Sequence, residues 1–373
     1  MKILTLNHEF PPVGGGAAPM SLQLAKQFVS MGHWVDVITM RWRDMPAMEV
    51  IDGVTVYRTW AVRKRPDFCR THEMATYLPG AVGKAWRLAR KNRYDVIHTH
   101  FIIPGSPLGW MIHRLCGIPQ VVTCHGSDIP DYNPDRFKLV HTLIKPAWRF
   151  LANHADALVC PSESLKRLLL KHIPDLNVSV IPNGIDIEKF PLPIAERKKH
   201  ILMCSRMLPR KGFQYLIEAV KDLSLGWQVH LVGDGPYRPE LEKLAHGSRT
   251  PILFHGWLDQ QDEQFKRLFR ESSIFVFPSE AENFPTVLLE AMAAGVAVIT
   301  SDAGGCPEVI GDAGIIVPSQ NVAALRNLLL TLVNDAAKRQ EFSLAARRRA
   351  EQFTWPAIAQ RYLEIFETVV HHK

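Results

Sequence analysis

The sequence has no apolar run near the roughly 18 residues needed to cross a bilayer, so no transmembrane helix is expected. Its start, Met1-Lys2-Ile3-Leu4-Thr5-Leu6, reads as a strand soon interrupted by Glu9 and Pro11, not as a secretory signal. Cysteine is sparse and scattered: Cys69, Cys116, Cys124, Cys160, Cys204 and Cys306 include no close pair. That spacing excludes a disulfide scaffold, suggests no structural zinc site, and fits a reducing, cytoplasmic setting. Low-complexity tails and short-period repeats are also missing. The second half lacks any charge excess, since residues 191–373 hold 21 Lys plus Arg and 21 Asp plus Glu. Residues 1–190 hold 23 against 16, which is the whole formal +7. A uniformly basic nucleic-acid coat is thereby excluded. One half meeting an anionic membrane surface or an acidic substrate fits, as does an ordinary solvated face.

What is present is a 373-residue chain, 47% hydrophobic and 22% charged, long enough for two domains. Short apolar strands alternate with amphipathic stretches. Strands are predicted at 35–39, 54–57, 96–99, 120–123, 157–160 and 178–181, with helices at 18–31, 105–115, 138–153 and 162–171 between several of them. This is α/β patterning with a mainly parallel sheet. Pro191-Leu192-Pro193 and Glu196-Arg197-Lys198-Lys199 read as a linker, after which the pattern restarts with strands at 200–204, 228–232, 252–254, 273–277 and 297–300. Helices are predicted between them and at 321–334, 337–350 and 356–369. Two tandem α/β domains follow, with a site expected in a cleft where the carboxyl ends of both sheets meet.

Chemistry-bearing residues fall at those strand ends. Gly14-Gly15-Gly16 precede the first helix, where backbone amides can approach an anion or simply form a tight turn. The spacing is neither a dinucleotide fingerprint nor a nucleoside-triphosphate loop. His98 and His100 share one strand face; His125 and Asp128 follow another strand, where His125 can exchange a proton with a hydroxyl and Asp128 can hold a hydroxyl or fix the loop. Arg206 and Lys211 place cations at a strand end and a helix start, suited to a leaving diphosphate. Val232-Gly233-Asp234-Gly235-Pro236 is a further strand-end turn. Glu282 precedes a helix in which Glu290 interrupts an apolar run; a carboxylate there needs a partner, such as two ribose hydroxyls, backbone amides or an arginine.

Taken together, the Pro11-to-Gly16 loop, Gly32-His33-Trp34-Val35, Asp95-Val96-Ile97-His98-Thr99-His100, His125-Gly126-Ser127-Asp128, Pro182-Asn183-Gly184-Ile185-Asp186, Arg206-to-Gly212, Gly233-Asp234-Gly235-Pro236 and the Glu282, seven residues, Glu290 motif resemble the retaining glycosyltransferases of family 4 over nearly the whole chain. The resemblance implies a GT-B fold: two Rossmann-like α/β/α domains facing each other across a deep cleft. Residues 1–190 would bind the acceptor, 191–355 the nucleotide sugar, and the helix in 356–373 would pack back on the first domain. It implies Glu290 on the ribose hydroxyls, Glu282 on the donor sugar, Arg206 and Lys211 on the diphosphate, Gly15 and Gly16 near the diphosphate or acceptor, and His125 beside the transferring sugar. Gly233, Asn283, Phe284, Thr286 and Val287 complete the donor-binding set. No metal and no cofactor are expected, because the two cations do that electrostatic work. Many relatives carry Gly-Phe-Gly after the first Glu, whereas here Asn283-Phe284-Pro285 removes one amide donor and adds a side-chain amide.

The function implied is transfer, with retention, of a sugar from a UDP- or GDP-sugar to a glycan, lipid-linked or small-molecule acceptor. The alternatives are a nucleotide-sugar epimerase or hydrolase of the same fold, or an inactive nucleotide-sugar-binding partner protein. Residues 63–93 are rich in Arg and Lys, and 80–92 reads as a basic helix with Trp86 and Leu88, either solvated or lying peripherally on an anionic cytoplasmic membrane face. Trp60 and the 129–134 loop are expected to line the acceptor side.

Overall fold

The computed structural model describes residues 1–66, 69–132, 134–192 and 196–371, without the side chains of 134–141. In chain order the first elements are β1 (Lys2–Leu6), α1 (Ala17–Ser30), β2 (Trp34–Met40), β3 (Met48–Ile51), β4 (Val54–Thr59), α2 (Thr71–Asn92), β5 (Val96–His100), α3 (Gly105–Cys116), β6 (Gln120–Thr123), α4 (Pro134–Asn153), β7 (Ala157–Cys160), α5 (Glu163–His172) and β8 (Val178–Val180). The eight strands form one sheet in the order β3-β4-β2-β1-β5-β6-β7-β8, parallel except for the antiparallel β3–β4 pair. The central strands β1, β5 and β6 are buried almost throughout because helices cover both faces.

The second series is β9 (Lys198–Cys204), α6 (Phe213–Val220), β10 (Gln228–Val232), α7 (Arg238–Ala245), β11 (Ile252–Gly256), α8 (Glu263–Glu271), β12 (Ser272–Phe277), α9 (Thr286–Ala293), β13 (Ala297–Ser301), α10 (Cys306–Ile310), β14 (Ile315–Val317), α11 (Val322–Asn334) and α12 (Ala336–Ala350), followed by α13 (Trp355–His371). Its six strands are all parallel, in the order β11-β10-β9-β12-β13-β14. Several helix starts carry their own caps: Ser162 Oγ accepts from Leu165 N–H, Asn321 Oδ1 from Ala324 and Asp335 Oδ1 from Lys338.

The chain divides into Met1–Asn183 with Trp355–Lys373, and Gly184–Thr354. The sequence reading drew its boundary after Phe190. The structure instead groups Gly184–Phe190 with the second unit, because Ile185 and Phe190 are buried in that unit's core. Pro193, part of the predicted linker, lies outside the described residues, and Lys198 and Lys199 already belong to β9. The helix α13 packs on the first unit: Tyr362 and Phe366 share a core with Phe28, Val35 and Val121, and the Phe28 and Phe366 rings are 5.4 Å apart.

The strands β3 and β14 and the five-residue helix α10 went unread in the sequence, and α2 was read only in part. The strands β3 and β14 are four and three residues long, too short for periodicity. The helix α2 starts nine residues before the predicted 80, running through Pro79 as a 22-residue helix, with Glu73 accepting from the Arg70 N–H at its first turn.

Candidate active site

In the second unit the predicted donor residues gather at the carboxyl ends of adjacent strands β10, β9, β12 and β13. The chain leaving β9 is stitched to that leaving β10 by Ser205 N–H to Val232 O (3.0 Å) and Met207 N–H to Asp234 O (2.9 Å). Gly233 sits between them at φ +125°, and a Cβ there would lie 1.8 Å from Ser205 O, so only glycine fits. Arg206 rides exposed on this stitched turn, with no side-chain ion pair among the described residues.

Lys211 closes a short 3₁₀ turn, Pro209–Lys211, that is tied to the chain after β12 through Glu280 N–H to Arg210 O (2.8 Å). Its ammonium pairs with Glu282 Oε1, which also accepts from Ser279 Oγ at 2.7 Å. Both side chains are largely shielded, 14% and 10% exposed. Gly304, after β13, lies against the Glu282 carbonyl; a Cβ there would stand 2.0 Å from that oxygen, and the Gly305 N–H donates to it at 3.1 Å. Three strand ends, those of β9, β12 and β13, thus converge on one lysine–carboxylate pair, with the β10 turn stitched to the first of them.

Glu290 lies one helix further on, in α9. Burial raises its carboxyl from the ordinary 4.5 to about 8. The partner the sequence demanded is neither an arginine nor backbone: Glu290 Oε1 accepts from Gln260 Nε2 at 2.6 Å. Gln260 carried no sequence signal, being an exposed glutamine in a polar turn after β11. Phe284, expected among the donor contacts, has its ring buried against Phe353, 5.7 Å between centroids. Thr286 is exposed at the start of α9, whereas Val287 packs partly on the core and Asn283 is half-buried.

In the first unit the glycine-rich turn is occupied by the chain itself. Glu9 Oε2 accepts from the Gly15 N–H at 3.0 Å, and Glu9 Oε1 lies 3.5 Å from Arg63 Nη2. Gly16 is the N-cap of α1, with open space beside its α-carbon. At the ends of β5 and β6, Asp128 takes the loop-fixing role: Oδ2 accepts from Ile102 N–H (2.8 Å) and Oδ1 from His125 N–H (2.9 Å). Burial raises the Asp128 carboxyl above the usual range, against the pull of these amides. His98 is a core residue, its Nε2 2.9 Å from Thr123 Oγ1 and its ring 5.3 Å from Phe366. His125 is half-buried, its Nε2 2.9 Å from His100 Nδ1, and burial pushes its imidazole down to about 3. Within the 129–134 loop, Ile129 and Pro130 are buried, and Asn133 lies outside the described residues. Trp60 is 68% exposed.

Two family profiles match the chain in succession: Glycosyltransferase Family 4 over residues 14–189 and Glycosyl transferases group 1 over residues 184–349. An uncharacterised glycosyltransferase of Methanocaldococcus jannaschii is 29% identical over 98% of both chains. The UDP-Gal:alpha-D-GlcNAc-diphosphoundecaprenol alpha-1,3-galactosyltransferase of Escherichia coli is 27% identical over 72% of this chain and 74% of its own. Among solved structures, sucrose-phosphate synthase from Thermosynechococcus elongatus superposes with a TM-score of 0.82 over 100% of both chains at 22% identity, and so shares the fold.

Proposed function

Because the chain belongs to the group 1, family 4-like glycosyltransferases of GT-B fold, we propose that it transfers a sugar, with retention at the anomeric carbon, from a UDP- or GDP-sugar to a glycan, lipid-linked or small-molecule acceptor. The observation that carries this is the strand-end assembly of the second unit: Lys211 paired with Glu282 at the ends of β9 and β12, eight positions before the buried Glu290.

On this reading Glu290 accepts hydrogen bonds from the two ribose hydroxyls in place of Gln260. Lys211 and the free Arg206 neutralise the diphosphate as it departs, which is the role a metal ion would otherwise fill. Glu282 meets the donor-sugar hydroxyls. From the first unit, His125 is the group offered to the reacting sugar. The bond from the anomeric carbon to the phosphate oxygen breaks, the acceptor oxygen bonds on the same face, and its proton passes to the departing phosphate. No side-chain nucleophile is required, so the two-carboxylate arrangement of glycosidases does not apply.

The UDP-sugar and the diphospholipid in the name of the Escherichia coli relative support a UDP donor and a lipid-linked acceptor. A peripheral position on a cytoplasmic membrane face is supported by α2, which exposes Trp86, Arg87, Arg90 and Lys91 while burying its one carboxylate, Glu73. Among the described residues no helix is long and apolar enough to cross a membrane. The test is a screen of UDP-, GDP- and ADP-sugars for nucleoside diphosphate release, with extracted lipids and glycans as acceptors and the product anomer read by NMR. Turnover of a donor with its anomeric configuration kept supports the reading. Absence of binding and turnover across the panel, or an inverted product, overturns it.

A further inference from the structure

The imidazole of His125 does not stand alone. Its Nε2 faces Nδ1 of His100 at 2.9 Å, with the rings nearly parallel, 17° between planes and 5.2 Å between centroids. His100 is buried, 1% exposed, at the end of the central strand β5, where it pairs in register with Thr123 of β6. Its ring is also held by His98, 4.4 Å away.

The chain around this contact is fixed from both sides. Asp128 takes the N–H of His125 with one oxygen and that of Ile102 with the other, tying the His125 loop to the chain leaving His100. Between His100 and Ile102 lies Phe101, in the left-handed region at φ +68°. An aromatic residue is costly there, and only a tightly determined surrounding keeps it. Phe101 N–H donates to Thr123 O at 2.9 Å, and its ring rests 4.5 Å from His125.

We propose that His100 is a positioning residue, whose Nδ1 contact sets the ring orientation and the tautomer of His125 and so decides which nitrogen His125 offers to the reacting sugar. Two facing ring nitrogens at hydrogen-bond distance share one proton. Burial holds both imidazoles neutral, His100 well below its ordinary range. With Nε2 committed to His100, Nδ1 is the nitrogen of His125 left for a ligand. It is a donor if His100 supplies the shared proton and an acceptor if His125 supplies it. An imidazole freed of this contact would populate both tautomers and further ring orientations, and only a fraction of molecules would be competent.

The assignment rests on the reading of His125 as the sugar-facing histidine, and the experiment separates the two. Four variants are compared with the wild type: His125→Ala, His100→Phe, His100→Asn and the double variant His100→Phe/His125→Ala. Asn places an amide close to the position of Nδ1, whereas Phe fills the space without a hydrogen bond. Nucleoside diphosphate release is measured with UDP-glucose, UDP-galactose and GDP-mannose. The His125 tautomer is read by long-range ¹⁵N–¹H NMR on histidine-labelled protein, its signals identified by their loss in His125→Ala. Positioning requires one tautomer in the wild type, both averaged in His100→Phe, and one restored in His100→Asn. It also requires turnover about 10²-fold lower in His100→Phe with donor KM nearly unchanged, recovery in His100→Asn, and a double variant no slower than His125→Ala. An unchanged tautomer in His100→Phe, or losses that multiply in the double variant, overturns the role of His100 alone. Wild-type turnover in His125→Ala overturns the underlying reading and the proposal with it.

Discussion

Replacing Glu290 by Gln should make this protein more stable and a poorer binder of nucleotide at once. The side chain keeps its shape and the oxygen that accepts from Gln260, but it cannot ionise. A buried carboxyl raised from 4.5 to about 8 binds its proton more tightly folded than unfolded. Ionising it therefore costs the folded state nothing below about pH 4.5, progressively more between pH 4.5 and 8, and a constant amount above. Linkage puts that cost at about 1 kcal/mol at pH 5, about 3 kcal/mol at pH 7 and about 5 kcal/mol at pH 9. Glu290→Gln removes it, so the gain in stability should grow with pH. At about 2–4 °C per kcal/mol for a unit of this size, the melting temperature should rise by roughly 6–12 °C at pH 7 and little at pH 5. Binding should move the other way. Glutamine keeps one accepting oxygen and loses one charge-assisted bond worth about 1.5–3 kcal/mol, so affinity for the nucleoside diphosphate should fall about 10- to 10²-fold. Thermal melts at the three pH values and calorimetric titration with UDP and GDP read the two effects separately. A melting temperature unchanged or lowered across the range refutes the account of burial, and unchanged affinity refutes the placement of the ribose.

The remaining expectations concern neighbouring parts of the same machinery. Glu282→Gln frees Lys211 from its ion pair, so UDP alone should bind more tightly by calorimetry while sugar transfer slows; weaker UDP binding would contradict the picture of Lys211 exchanging one anion for another. Lys211→Met strands the Glu282 carboxylate beside Ser279 and should destabilise the second unit by about 3 kcal/mol, seen as a lower urea midpoint, with at least a tenfold loss of UDP affinity. Phe366→Ala empties a fully buried ring site against Phe28 and His98 and should cost about 3–5 kcal/mol of first-unit stability, while UDP affinity, a property of the second unit, stays as it was.

Much of this was legible from residue order alone, for identifiable reasons. Parallel strands buried on both faces announce themselves as short apolar runs, so β5, β6, β12 and β13 were predicted almost to the residue. The spacing of Arg206, Lys211, Glu282 and Glu290 along strand ends and one helix is a local matter, and it marks these as the candidate donor residues without any fold. What residue order cannot show is which neighbour a side chain finds across the sheet. Phe284 sits amid the motif, yet its ring is core. Asp128 and His98 look as chemical as His125, but the first is spent on two backbone amides and the second on Thr123 and the aromatic face of α13.

The sequence by itself determined the two α/β series, the basic bias of the first half and the residues able to hold a diphosphate, because those rest on period, composition and motif. Only the tertiary structure decided that Gly15 turns to Glu9, that Lys211 is tied to Glu282, that Gln260 covers Glu290 and that His125 leans on His100. The first closes within one loop, while the other three join residues 25 to 71 positions apart in the chain, brought together by the fold rather than by local spacing.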